Sequence, residues 1–318
     1  DGGPAIIRPP LVDVTPRMSE LALAGPHICP AAPTVFYGES SRYFFFMPKV
    51  IRSARLVVFS HGALADPLSY QELLFHWASH GFVVAAPLHD DAVLESGPTL
   101  RMVRSGAVSK WDVASILEDP VAWKARVDRC VECIDIAREI ADAGGFELPT
   151  DRIIMAGHGY GAYITQLIMG TEVNGPEGSR LRFRDSRMFA GICLSTQGPG
   201  IMGLDENSWK NVTSPMLHVI SEGEDDFAGQ GWQVRSQAYS LSAPGYKHLA
   251  MVRAGGSNLF TKGREINTGD TMTGYLAAKA VTVGFIKAYG DYDQEAFANM
   301  GDDFFERNSK EHLVEYRK

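Results

Sequence analysis

The sequence predicts an α/β fold with a mostly parallel central sheet flanked by helices. Three observations carry this. From Pro33 onward, short apolar runs alternate with stretches of helical periodicity, the pattern of a layered fold whose strands are joined by crossover helices. At 45% hydrophobic and 21% charged over 318 residues, the chain can bury a large core. No stretch reaches the ~18 consecutive apolar residues of a membrane-crossing helix, and the run from Phe82 to Leu88 ends at His89, so no membrane insertion is expected. A net charge of −8 lacks the basic balance that phosphate contacts demand, so no nucleic-acid partner is expected either.

Residues 1–32 are rich in Pro and Gly and are expected to form an irregular arm lying on the body. The body spans 33–290. Strands are expected at Tyr43 to Met47, Leu56 to Ser60, Val83 to Ala86, Ile153 to Ala156, Phe189 to Leu194, Met216 to Ile220 and His248 to Val252. A helix is expected from Val121 to Ala143: Val127, Val131, Ile134 and Ile140 recur at helical spacing, Asp119 offers an N-cap before Pro120, and Gly144-Gly145 ends it. Two more helices cover Tyr160 to Met169 and about Thr271 to Tyr289. The polar stretch from Gly170 to Arg187 reads as an insertion loop, and the charged extension 291–318 as packed on or beside the domain, with a solvated helix over Asp302 to Lys318.

Four cysteines are too few for a disulfide scaffold, and Cys130 and Cys133 form a lone CxxC on a helix without the paired spacing of a zinc site. Neither a metal nor an organic cofactor is expected. The chain opens at Asp1 without an initiator Met or a signal-peptide pattern, which favours a secreted or periplasmic protein, or a trimmed chain, over a cytoplasmic one. Nothing in the pattern sets an oligomeric state.

The most specific passage is Ile153-Ile-Met-Ala-Gly157-His158-Gly159-Tyr160-Gly161, a hydrophobic strand turning sharply into a helix through small residues. This is the spacing of the nucleophile elbow, G-x-S-x-G, in which flanking glycines make room for a strained turn. Gly159 stands where the elbow carries serine.

Together with Val57-Val-Phe-Ser-His61-Gly62, Trp77-Ala-Ser-His80-Gly81, Trp123-x-x-Arg126-x-Asp128 and Leu194-Ser-Thr-Gln197-Gly198, this passage resembles the α/β-hydrolases over residues 33–290. The nearest branch is that of dienelactone hydrolases and platelet-activating-factor acetylhydrolases, bordering the bacterial cutinases. The resemblance implies a carboxylic ester hydrolase acting on a small-molecule or polymeric ester. It implies oxyanion donors at the backbone N–H of Ala63 or Leu64 and of Tyr160. Gly223-Glu-Asp225-Asp226 matches the family's acid loop and selects Asp226, with Asp225 as runner-up. Gly255-Gly-Ser-Asn258 aligns with the family's histidine loop and puts Asn258 at the base position.

Other side chains carry weaker expectations. His158 and Gln197 join Tyr160 as candidates for the pocket, with Met102, Trp111 and Phe227 in loops around it. His61 is expected to order the oxyanion loop, His89-Asp90-Asp91 to form a loop beside the cleft mouth, and His248 to be a strand or surface histidine remote from the elbow.

Glycine offers no nucleophile, and the Asn258 amide takes up no proton near neutral pH. The expected function is therefore that of an inactivated ester hydrolase that still binds substrate. The alternatives are a natural pseudoenzyme or binding module, and a non-hydrolytic enzyme that reuses the oxyanion pocket.

Overall fold

A computed structural model describes residues 18–30, 33–36, 42–92, 115–223, 229–252, 259–261, 269–301 and 313–317. In chain order the elements are α1 (Met18–Leu21), β1 (Thr34–Phe36), β2 (Tyr43–Phe46), β3 (Leu56–Ser60), α2 (Gln71–Ser79), β4 (Val83–Pro87) and α3 (Pro120–Gly144). There follow β5 (Ile153–His158), α4 (Tyr160–Ile168), the short β6 (Val173–Asn174) and β7 (Arg180–Leu181), β8 (Met188–Leu194) and β9 (Met216–Ser221). The remainder is α5 (Trp232–Arg235), α6 (Gln237–Ser240), β10 (Lys247–Val252), α7 (Gly269–Ile286), α8 (Gln294–Asn299) and β11 (Leu313–Arg317).

Nine strands form one sheet in the order β1-β2-β4-β3-β5-β8-β9-β10-β11. The six strands from β4 to β10 in that order run parallel, and β1, β2 and β11 pair antiparallel at the two edges. The parallel strands are buried on both faces, which is why they read as continuous apolar runs. Alternate side chains enter two cores: Val57, Phe59, Ile154 and Ala156 meet α2 and α7 on one face, and Val58, Ile153 and Met155 meet α3 and α4 on the other.

All seven expected strands form, with ends shifted by at most two residues and Leu56–Ser60 matched at both ends. The expected α3 begins one residue early: the Asp119 side chain accepts the Val121 N–H at 2.9 Å, and Gly145 closes the helix at φ 67°. Two expectations are corrected. The stretch 170–187 is not only a loop, since β6 and β7 pair within it and Thr171 and Val173 are fully buried. The tail is not a helix over its final turn of sequence: residues 313–317 form β11, which pairs antiparallel with β10 and extends the sheet. Residues 302–312 lie outside the described residues.

Candidate active site

The strand order itself locates a crevice. From β3 the chain leaves through α2 on one face of the sheet toward β4; from β5 it leaves through α4 on the other face toward β8. β3 and β5 are neighbours, so the loops after their carboxyl ends diverge and leave a gap between them, where ligands bind in open α/β sheets. The loop 61–64 and the elbow at Gly159 flank that gap.

Three glycines shape the elbow, for different reasons. A Cβ at Gly157 would lie on the Gly161 carbonyl, and one at Gly161 on the Ser60 carbonyl, so both positions need glycine for the strand–helix approach. A Cβ at Gly159 would meet nothing within 4 Å. Gly159 nevertheless holds φ 53° and ψ −114°, outside the left-handed helical well in a region open to glycine and costly to an L side chain, with its N–H bonded to the Leu194 carbonyl at 2.9 Å. The turn is thus built to present whatever occupies position 159 to open space.

On the facing side, His61 orders the loop as expected. Its Nδ1 donates to the Gly62 carbonyl at 2.8 Å and its Nε2 accepts the His89 N–H at 3.0 Å, which together fix the tautomer. Burial and the Arg126 charge push its pKa down to about 3, so the ring is neutral. Leu64 sits at φ 58°, and its N–H points to Asp91 Oδ2 at 3.4 Å. Of the two expected donors in this loop, Leu64 is therefore engaged by a carboxylate. Among the described residues the N–H groups of Ala63 and Tyr160 meet no acceptor, and Tyr160 opens the nine-residue α4, where the helix field favours negative charge.

His158 points away from position 159 into a buried contact. Its Nδ1 shares a 2.8 Å hydrogen bond with Tyr70 Oη, which also accepts the Gly62 N–H at 3.0 Å. Burial and the Arg235 charge lower its pKa to about 3, so it is a weak base. The Phe260 ring lies 5.3 Å from the His158 ring, and Leu259 is fully buried. The chain that follows Asn258 thus returns to the elbow. Asn258, Asp225 and Asp226 themselves lie outside the described residues, as do Met102, Trp111 and Phe227. The strands before Asp226 and Asn258, β9 and β10, are parallel to β5, so the carboxyl ends of all three lie at one edge of the sheet.

Gln197 is buried just beyond β8, with Nε2 donating to the Ser195 carbonyl at 3.1 Å and Oε1 meeting no partner among the described residues. Ser195 is a further non-glycine residue at positive φ, 58°, at the same edge. The His89-Asp90-Asp91 side chains diverge. His89 Nε2 bonds Ser60 Oγ at 2.8 Å, Asp90 pairs with Arg42, and Asp91 pairs with Arg126. Among the described residues no three His, Cys, Asp or Glu side chains are placed to hold a metal ion. His248 lies at the start of β10, buried and 2.7 Å from Tyr289 Oη, at the far end of the strand.

Sequence reasoning missed Tyr70 and the role of Arg126. For Arg126 a signal exists: it lies on the apolar stripe of α3 between Trp123 and Cys130, where a charge is out of pattern. Comparison with protein-family models and with curated proteins finds no match to this chain.

Proposed function

We propose that the chain is an α/β-hydrolase-fold protein whose site binds a carboxylic ester or its carboxylate product without turning it over. One observation carries this reading. Position 159 has the backbone angles and the open space of a nucleophile elbow, angles that would strain any L side chain, yet it holds the one residue with no side chain. The strand order supports the fold, with the elbow after the central strand β5, beside β3, and a crossover on each face of the sheet. In this reading Ala63 and Tyr160 donate their N–H groups to the ester carbonyl oxygen. Position 159 takes the place of the attacking hydroxyl, position 258 that of the proton carrier, and Asp226 that of the orienting acid.

Loss of nucleophile and base removes on the order of a million-fold in turnover, and the second loss adds little to the first. The test is hydrolysis of p-nitrophenyl butyrate by the chain and by its Gly159→Ser, Asn258→His variant, both checked for folding. Turnover by the variant alone supports a silenced hydrolase. No turnover by a folded variant on any acyl length abandons hydrolysis in favour of a binding module or a different reaction.

A further inference from the structure

Arg126 projects from α3 beneath the loop that follows β3, and the residue is 3% exposed. A guanidinium is costly to bury unless each of its five N–H donors finds an acceptor. Here each does. Nε donates to Asp91 Oδ1 at 2.9 Å and Nη2 to Asp91 Oδ2 at 2.6 Å. Nη1 donates to the His61 carbonyl at 2.7 Å and to Ser60 Oγ at 3.3 Å, and Nη2 also reaches the Gly62 carbonyl at 3.3 Å. The guanidinium carbon lies 4.1 Å from the centre of the Tyr160 ring. Asp91 extends the connection by accepting the Leu64 N–H.

We propose that Arg126 is a positioning residue: its guanidinium joins the loop 60–64, Asp91 and Tyr160 into one unit and so sets the spacing between the Ala63 and Tyr160 N–H groups. The consequence for a substrate carbonyl rests on the hydrolase reading above; the clamp does not. Lysine cannot replace it, because an ammonium has only three donors, all radiating from a single nitrogen, and no planar face for Tyr160. The ion pair with Asp91 leaves the clamp without net charge. Its contribution is therefore geometric and does not supply an electrostatic pull on the ligand.

Amide hydrogen exchange on the chain as it stands tests the clamp without any activity. The reporters are the bonded N–H groups of Gly62, Leu64 and Ala65, with Val219 and Ala250 in β9 and β10 as controls. In Arg126→Lys and Asp91→Asn, the reporters should lose protection by about tenfold or more while the controls stay within about twofold. In Arg126→Ala, added methylguanidinium should restore the reporters. Unchanged reporters, equal loss at reporters and controls, or no rescue in a folded Arg126→Ala protein would each overturn the proposal. If Arg126→Ala does not fold, the Lys and Asn variants decide.

In the Gly159→Ser, Asn258→His background, Arg126→Lys should lower kcat by about a hundredfold with KM within about threefold. A raised KM at unchanged kcat would overturn the catalytic consequence. An inactive background counts against the hydrolase reading alone, since the exchange result stands independently.

Discussion

The three elbow glycines differ most in what an added methyl group would meet. Gly161→Ala should destabilise the fold by more than about 4 kcal/mol, or prevent folding, because the new Cβ meets the backbone of β3, which cannot move aside. Gly159→Ala should cost only about 1–3 kcal/mol, the strain of its backbone angles, since nothing occupies the space ahead of it. Urea denaturation of the two variants compares them directly, and equal losses would contradict the assignment of roles. The elbow was legible in the sequence because backbone crowding demands particular residue types at fixed spacing. The Tyr70–His158 contact was not, because it joins side chains 88 positions apart through packing that no local pattern records.

At the scale of elements, α3 is legible to within one residue at each end, since cap, proline, apolar stripe and terminal glycines all agree. Asp119→Ala should cost about 1 kcal/mol in thermal or chemical unfolding, the value of one N-cap. The short β6 and β7 escaped because two-residue strands have no periodicity. β11 escaped for another reason: its charged surroundings suggested a solvated helix, whereas charges on an edge strand are equally at home. Lys247, at the start of β10, is 6% exposed, and burial lowers its pKa to about 8. Its native pKa lies below that of the unfolded chain, so burial destabilises at neutral pH and the penalty fades as pH rises from about 8 past the usual lysine value. Lys247→Met should therefore stabilise at pH 7, by on the order of 1 kcal/mol, with a gain that shrinks toward pH 10. A gain independent of pH would rule out the ionisation.

For the whole molecule, six histidines share one behaviour. Burial lowers the pKa of His61, His76, His158 and His218 to about 3 and of His80 to about 4, and holds that of His89 well below the ordinary histidine value. Between the ordinary histidine value near 6.5 and these values, the unfolded chain binds more protons than the native one, so stability falls as pH falls. Asp91, Asp185 and Asp205, whose pKa values are depressed by arginine partners, act in the same direction at lower pH. Urea midpoints should drop continuously from pH 6.5 to 4, with uptake of several protons on unfolding at pH 5. A flat profile from 6.5 to 5 would mean that these rings are accessible in the native state. Composition and strand periodicity make the layered architecture legible, whereas the acid and base positions have no periodicity of their own and are read from loop motifs after β9 and β10.

β11 also bears on how the protein is made. The open edge of β10 is covered by a strand some sixty residues further along, pairing Leu249 with Arg317 and Ala250 with Tyr316. During synthesis, a ribosome that has released β10 still has all of α7 and α8 to produce before the sheet can be closed. In that interval the nascent chain displays an unpaired parallel strand rich in apolar residues, the kind of edge that recruits other chains. A chain stopped at residue 312 should hold that state permanently and self-associate, which light scattering would detect, so β11 acts as a safeguard for the strand it covers.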